Sequence, residues 1–259
     1  MRLHRFIIGQ NLASGKMVIA DPALCHQWMK VLRLGPGDRV VLCDGRGREA
    51  EAAIESLDAK QAVISCAAST IVASEPQRGV TLACAVLKRE NFELVLQKAT
   101  ECGVQSIVPL LTQRTVKTGL KMDRLERIAR EAAEQSGRGI VPEIQEPMAL
   151  NDFLKSARHP VIFFHNGKSA GVQDCKSARE QESTRARTSC NPAILQSCNP
   201  QHTTLIIGPE GGWMEEEVEA ARAAGCLVQS LGPLTLRAET AAIVASYLAV
   251  HSPPPTGEG

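Results

Sequence analysis

Leu205–Ala241 reads LIIGPEGGWMEEEVEAARAAGCLVQSLGPLTLRAETA, and the punctuation of this stretch decides the fold. Two Gly/Pro turns, Gly208-Pro-Glu-Gly-Gly212 and Leu231-Gly-Pro233, stand where strands should end. Thr203–Ile207 is a short β-branched apolar run that stops at Gly208, and Cys226–Ser230 is a second that stops at Gly232. Between them, Met214–Ala224 predicts a helix. Glu215, Glu216 and Glu217 occupy its first turn, where the helix dipole favours negative charge, and Gly225 ends it. Ala238–Val250 reads as a helix of small and apolar residues. In an open α/β sheet, ligands bind beyond the carboxyl ends of the strands, where both turns lie. Either turn alone is equally a plain strand-to-helix connection. Two of them, the second leading Arg237, Glu239 and Thr240 into a helix start, point to a ligand site.

Upstream, strands and helices alternate. Val80–Leu87 predicts a strand and Glu90–Cys102 a helix with Phe92, Val95, Leu96 and Ala99 on one face, closed by Gly103. Val104–Leu110 is the next strand. Asp123 opens a helix with Glu126 three residues on, as a capping box would place it, and Leu125, Ile128, Ala129 and Ala132 form its buried stripe. Asn151–Ala157 is a short helix and Val161–His165 a strand. This alternation predicts a mostly parallel sheet covered on both faces. Residues 168–202 break it as a polar inserted loop, and 252–259 form a Pro-rich tail.

Residues 1–72 read as a separate small β domain. Lys16–Ala20, Arg39–Cys43, Glu49–Glu55 and Ala62–Cys66 are short strands, Pro22–Leu32 is a helix, and 69–79 is a linker. Strands this short and frequent suggest a compact barrel. Its Arg2, His4, Arg5, Lys30, Arg33, Arg46 and Arg48, with few aromatics, suit phosphate contact better than base stacking, although each is also an ordinary surface residue.

The 259 residues are 44% hydrophobic and 22% charged, the balance of a soluble globular protein. No apolar run approaches membrane-spanning length, and MRLHRFIIGQ lacks the apolar core of a secretory signal, so the cytoplasm is the expected compartment. Nine cysteines, an odd count with no C-x-x-C pair, indicate neither a disulfide framework nor a zinc site. The net charge of +1 divides unevenly. Residues 1–142 carry 20 Lys+Arg against 15 Asp+Glu (+5), and 143–259 carry 9 against 13 (−4). A polyanion held by the first part and a different ligand by the second is one reading, and ordinary surface charge is the other.

Taken together, the motifs resemble the RsmE-type 16S ribosomal RNA uracil-N3 methyltransferases of the SPOUT (α/β-knot) class. The resemblance runs through nearly the whole chain: His4-Arg5-Phe6; His26 with Val31-Leu-Arg-Leu34 and Gly37-Asp38; Gln97-Lys-Ala-Thr-Glu101; Arg114; Glu131-Ala132 with Glu134-Gln-Ser136 and Arg138; and the two C-terminal turns through Leu236-Arg-Ala-Glu-Thr-Ala241. The two C-terminal motifs, in this order and spacing, are the specific part. Cys102, Leu125 and Trp213-Met214 depart from the usual residues and read as packing or capping variants.

The resemblance implies a PUA-like β-barrel over 1–72 that helps hold RNA, and a SPOUT methyltransferase domain over 73–251 with a trefoil-knotted parallel sheet. It implies S-adenosyl-L-methionine as methyl donor, no metal, a homodimer, and N3-methylation of a uridine in the decoding region of 16S rRNA in the 30S subunit. Gly208, Gly211, Gly212 and Gly232 would bring backbone groups close to the donor. Ile207, Leu231, Leu234 and Leu236 would sandwich its adenine, with Glu210 shaping the turn and Thr240 completing the cofactor set. Uracil N3 must lose a proton or meet positive charge as it attacks, and each unit of pKa lowering is worth about 1.4 kcal/mol. Arg237 is the first choice for that charge. Glu239 would orient Arg237 or accept the proton, with helix capping as the alternative for Glu239 and Glu210. Arg5, Arg33, Arg114 and Arg138 are the candidate RNA contacts.

Three rival readings follow from the same residues. Gly167-Lys-Ser169 resembles the end of a P-loop, but Ile162 stands at its first glycine. A non-catalytic RNA-binding protein would not need both turns with Arg237 and Glu239. A ribose 2′-O-methyltransferase of the same class is the nearest rival, disfavoured by the N-terminal barrel and the LRAETA ending.

Overall fold

The computed structural model describes residues 3–115, 119–157, 160–166 and 202–252. It divides into two compact units, one joining the chain up to Glu75 with Glu126–Pro142, the other holding Pro76–Leu125 and the chain from Glu143 onward. Residues 126–142, in sequence inside the expected methyltransferase domain, thus group in space with the β unit.

The first unit is a six-stranded sheet of β1 (His4–Ile7), β2 (Gly15–Ile19), β3 (Arg39–Cys43), β4 (Arg48–Leu57), β5 (Ala62–Cys66) and β6 (Thr70–Ile71). The path is β1-β3-β4-β5-β2, with β6 beside β4, and β1 and β3 are the parallel pair. Alternation sets the register: Ala50, Ala52 and Ile54 of β4 face inward while Glu51 and Glu55 face water. Every strand but β6 sends side chains into one core around Trp28, which is fully buried 5.1 Å from the Phe6 ring. Trp28 comes from the predicted helix, which forms as α1 (Pro22–His26) continued by a π turn over Gln27–Val31. Asp21 caps α1 through the N–H groups of Ala23 and Leu24, with Pro22 at its start. The strand β1 was not foreseen, and β6 falls within the expected linker.

The second unit holds β7 (Gly79–Ala85), α2 (Arg89–Cys102), β8 (Ser106–Leu111), β9 (Glu143–Ile144), β10 (Met148–Ala149), α4 (Leu150–Ser156), β11 (Val161–Phe164), β12 (His202–Ile207), α5 (Glu215–Ala223), β13 (Leu227–Gln229) and α6 (Ala238–His251). Between β8 and β9 runs α3 (Met122–Ser136), most of which belongs to the first unit. The strand order is β10-β8-β7-β12-β11-β13, with β9 beside β8, and every pairing is parallel. The central strands are continuous buried runs, as a sheet covered on both faces requires: Thr203–Ile207 and Leu82–Ala85 are buried throughout. Gly103 ends α2 at φ 101°, and a Cβ there would lie 2.5 Å from Pro76 Cγ, so only glycine fits.

Of the polar insert expected over 168–202, His202 opens β12 and reaches Thr81 Oγ1 at 3.2 Å. Residues 167–201, and with them all of the P-loop-like Gly167-Lys-Ser169, lie outside the described residues, as does the tail from 253. No helix among the described residues is long and apolar enough to cross a membrane.

Candidate functional site: a cleft at the ends of three adjacent strands

Strand order builds the cleft. Because β11 lies between β12 and β13, the turn after β12, the end of β11 and the turn after β13 converge at the carboxyl edge of the sheet. They enclose about 680 Å³ of atom-free space, part of it open to solvent. Ile207, Gly208, Pro209, Glu210, Gly212 and Trp213 supply one side, Ser230, Leu231, Leu234, Thr235 and Leu236 the other, and Phe164, His165 and Asn166 the end of β11. Ala238 and Ala241 of α6 complete the lining.

The first turn is braced on all sides. Gly212, at φ 72°, closes it through its N–H to the Pro209 carbonyl at 2.9 Å. Trp213 folds back beneath it. A Cβ on Gly208 would meet the indole at 2.8 Å, the ring packs against Phe163 at 4.5 Å, and indole Nε1 donates to the Phe164 carbonyl at 2.9 Å. Glu210 turns away to accept from the Lys88 N–H at 3.1 Å and from Asn91 Nδ2 at 3.4 Å, at the start of α2. Burial alone would raise its carboxyl; these donors outweigh burial and hold it below the ordinary value. Glu210 therefore does cap a helix, although the helix lies more than 100 residues upstream.

The second turn is held by short side-chain ties. Gly232 N–H donates to Ser230 Oγ at 3.2 Å, Ser230 Oγ donates to the Gly232 carbonyl at 2.8 Å, and Asn166 Nδ2 donates to Thr235 Oγ1 at 2.8 Å. Leu234 is 74% exposed. Burial holds the His165 imidazole below its ordinary pKa, with Glu215 opposing and Arg222 adding to the effect.

The expected site residues sort by position. Seven of the ten expected cofactor contacts line the cleft: Ile207, Gly208, Glu210, Gly212, Leu231, Leu234 and Leu236. Gly211 and Gly232 sit within the two turns, and Thr240 is exposed in the first turn of α6. Arg237 is the N-cap residue of α6, exposed, its carbonyl accepting from the Ala241 N–H at 2.8 Å. Glu239 lies in the first turn of the same helix, two residues on. Neither lines the cleft itself, but both are chain neighbours of Leu236 and Ala238, which do. Phe164, His165 and Asn166 also line the cleft and carry no local signal, since nothing near them in sequence announces that β11 inserts between the two motif strands; Trp213, Ser230 and Thr235 line it too, beside the motif residues.

The candidate RNA-contacting arginines differ among themselves. Arg33 is exposed and is the one non-glycine residue at positive φ (56°) among the described residues. Arg114 is exposed and donates to the Gly211 carbonyl. Arg5 is largely committed, 2.5 Å from Glu49 and 3.0 Å from Cys43 Sγ. Arg138 corrects the expectation. It is 4% exposed and held by Glu75 at 3.2 Å, while the same carboxylate accepts the Gly139 and Ile140 N–H groups, so it ties the first unit together. Among the described residues, no cluster of three or more His, Cys, Asp or Glu could hold a metal.

Comparison with known proteins matches this architecture. An RNA methyltransferase domain covers residues 74–250 and an RNA methyltransferase PUA domain covers residues 29–65. The ribosomal RNA small subunit methyltransferase E of Synechocystis is 32% identical over 93% of this chain and 75% of its own length. The Bacillus subtilis protein of the same name is 30% identical over 85% of this chain and 84% of its own. A Legionella pneumophila protein solved in complex with the bound cofactor SAM superposes with a TM-score of 0.79 at 30% identity, over 96% of this chain and 97% of that one. With its PUA-like first unit and its SPOUT α/β-knot second unit, the chain belongs to the RNA methyltransferase family, on the branch of the ribosomal RNA small subunit methyltransferases E.

Proposed function

We propose that the protein transfers the methyl group of S-adenosyl-L-methionine to N3 of one uridine in the decoding region of 16S rRNA, acting in the cytoplasm on the small subunit. The observation that carries this is the cleft: two glycine turns and the end of β11 around an apolar-walled space beside Arg237. Its residues fit the donor in kind. Ile207, Leu231 and Leu236 offer flat apolar contact for a purine, the turns offer backbone polar groups, and Asn166 and Ser230 offer polar side chains to a ribose. The bound donor supplies an electrophilic methyl group on a sulfonium. The chain's part is orientation and charge. Arg237, exposed at the rim, stabilises the uracil as N3 loses its proton. Glu239 is the nearest carboxylate in sequence to orient the guanidinium or receive that proton.

The first unit and Arg114 hold the RNA. Arg33 supports this reading, because a left-handed arginine costs roughly 1 kcal/mol and such strain persists where a side chain is being aimed. A second copy of the chain completes the enzyme. Leu94 of α2 and Val244 and Tyr247 of α6 are exposed on two helices packed together, an apolar surface suited to a like partner. Sedimentation at twice the chain mass is expected.

Mass mapping of nucleosides in small-subunit RNA, from cells with and without the protein, tests the assignment. One N3-methyluridine is expected to depend on the protein. Loss of a ribose 2′-O-methyl group instead would overturn the base-methylation reading.

A further inference from the structure

We propose that Glu217 is a positioning residue for RNA, acting through Arg114; this rests on the methyltransferase reading above. Glu217 is buried, 5% exposed, in the first turn of α5. Its two oxygens serve two elements. Oε2 accepts the Met214 N–H at 2.9 Å and caps α5. Oε1 accepts the Gln113 N–H at 2.9 Å, 104 residues upstream. The helix needs only the first bond. The second clamps the loop after β8 beside the glycine turn, and that loop is tightened by the Thr112 N–H to Thr115 Oγ1 at 2.9 Å.

Arg114 follows Gln113 directly and lies across the turn. Its Nη1 donates to the Gly211 carbonyl, and its Cδ would be 3.2 Å from a Cβ on Gly211. The arginine stem thus occupies the space a side chain at 211 would take. That single bond leaves most of the guanidinium donors unused, the side chain is exposed, and no carboxylate pairs with it among the described residues. An unneutralised cation fixed beside Gly212, at the mouth of the cleft, fits a phosphate of the RNA strand being presented. Glu217 sets where that cation stands, from a position too buried to touch RNA.

The test is methyl transfer to small-subunit particles by the full chain, for wild type, Glu217→Gln, Arg114→Ala and the double variant, with RNA affinity measured across a salt series. KM for RNA is expected to rise roughly ten-fold in each single variant. The double variant is expected to be no worse than Arg114→Ala, and the slope of log affinity against log salt to fall by about one in all three. Cofactor affinity is expected to change far less than RNA affinity. Gln113→Pro, which deletes the donated N–H and leaves the α5 cap intact, is expected to reproduce the Arg114 phenotype even where Glu217→Gln folds poorly. Additive losses in the double variant, or an unchanged salt slope, would overturn the inference and leave the methyltransferase reading standing. No transfer by the wild type would overturn that reading and this inference with it.

Discussion

The two glycine turns look alike in sequence and differ in how they are held. Gly208–Gly212 is pinned by the Trp213 indole against Gly208, by Glu210 on the start of α2 and by Arg114 on the Gly211 carbonyl. Leu231–Pro233 is flanked by Ser230, bonded to Gly232, and by Leu234, which faces water, with Asn166 just beyond β11 tied to Thr235. The first turn is a finished wall. The second carries Leu234 74% exposed and is tied through exposed polar side chains, the arrangement of a segment that a ligand orders. A site built this way keeps one side preorganised and leaves the other free to admit and release the donor.

Breaking the first turn should therefore cost folding, and breaking the second should cost binding. Trp213→Ala removes a buried ring that touches Gly208 and Phe163, and is expected to lower stability by about 3–5 kcal/mol in urea unfolding. Trp213→Phe keeps a ring and loses only the bond to the Phe164 carbonyl, an expected loss of about 1 kcal/mol. If Trp213→Ala were neutral, the first turn would not be the rigid one. Asn166→Ala cuts the exposed tie to Thr235. It should change stability by less than about 0.5 kcal/mol while weakening donor binding roughly ten-fold, because the turn must then be ordered at the ligand's expense.

Acid should reach the end of β11 and the first turn at different pH. His165 has a folded pKa below its ordinary 6.5, so between those values the unfolded chain binds more protons, and stability falls as pH drops below 6.5 until the folded value is passed. Glu210 also has a depressed pKa, from an ordinary 4.5, so its contribution is full above 4.5 and is lost only as pH falls through the lower folded value. A stability profile is expected to show the two steps separately, with His165→Gln flattening the upper and Glu210→Gln the lower. A single step abolished by either substitution would mean that His165 and Glu210 titrate as one coupled unit.

How much of this was legible depended on whether the cause was local. The run Thr203–Ile207, the stripe Phe92-Val95-Leu96-Ala99 and the turn glycines were readable because periodicity and φ are properties of neighbouring residues. β1 was not, because His4–Ile7 is four residues long and half basic, and it becomes a strand only by pairing with β3. Glu210 read as a turn residue because its partners, Lys88 and Asn91, are about 120 positions away. Arg138 read as a cation for RNA because nothing near it in sequence reveals Glu75. The third wall, Phe164–Asn166, required knowing that β11 lies between β12 and β13, which is a fact of topology.

The most direct test of the central claim, that both turns grip one methyl donor while Arg237 acts on the base from the rim, is a calorimetric titration of the full chain and its Arg237→Ala variant with S-adenosyl-L-methionine, followed by a transfer assay on each. Saturable binding of similar affinity in both proteins, with transfer reduced by about 10²-fold or more in the variant, is the predicted result. Absence of binding heat in the wild type at every concentration, or undiminished transfer by Arg237→Ala, would contradict it.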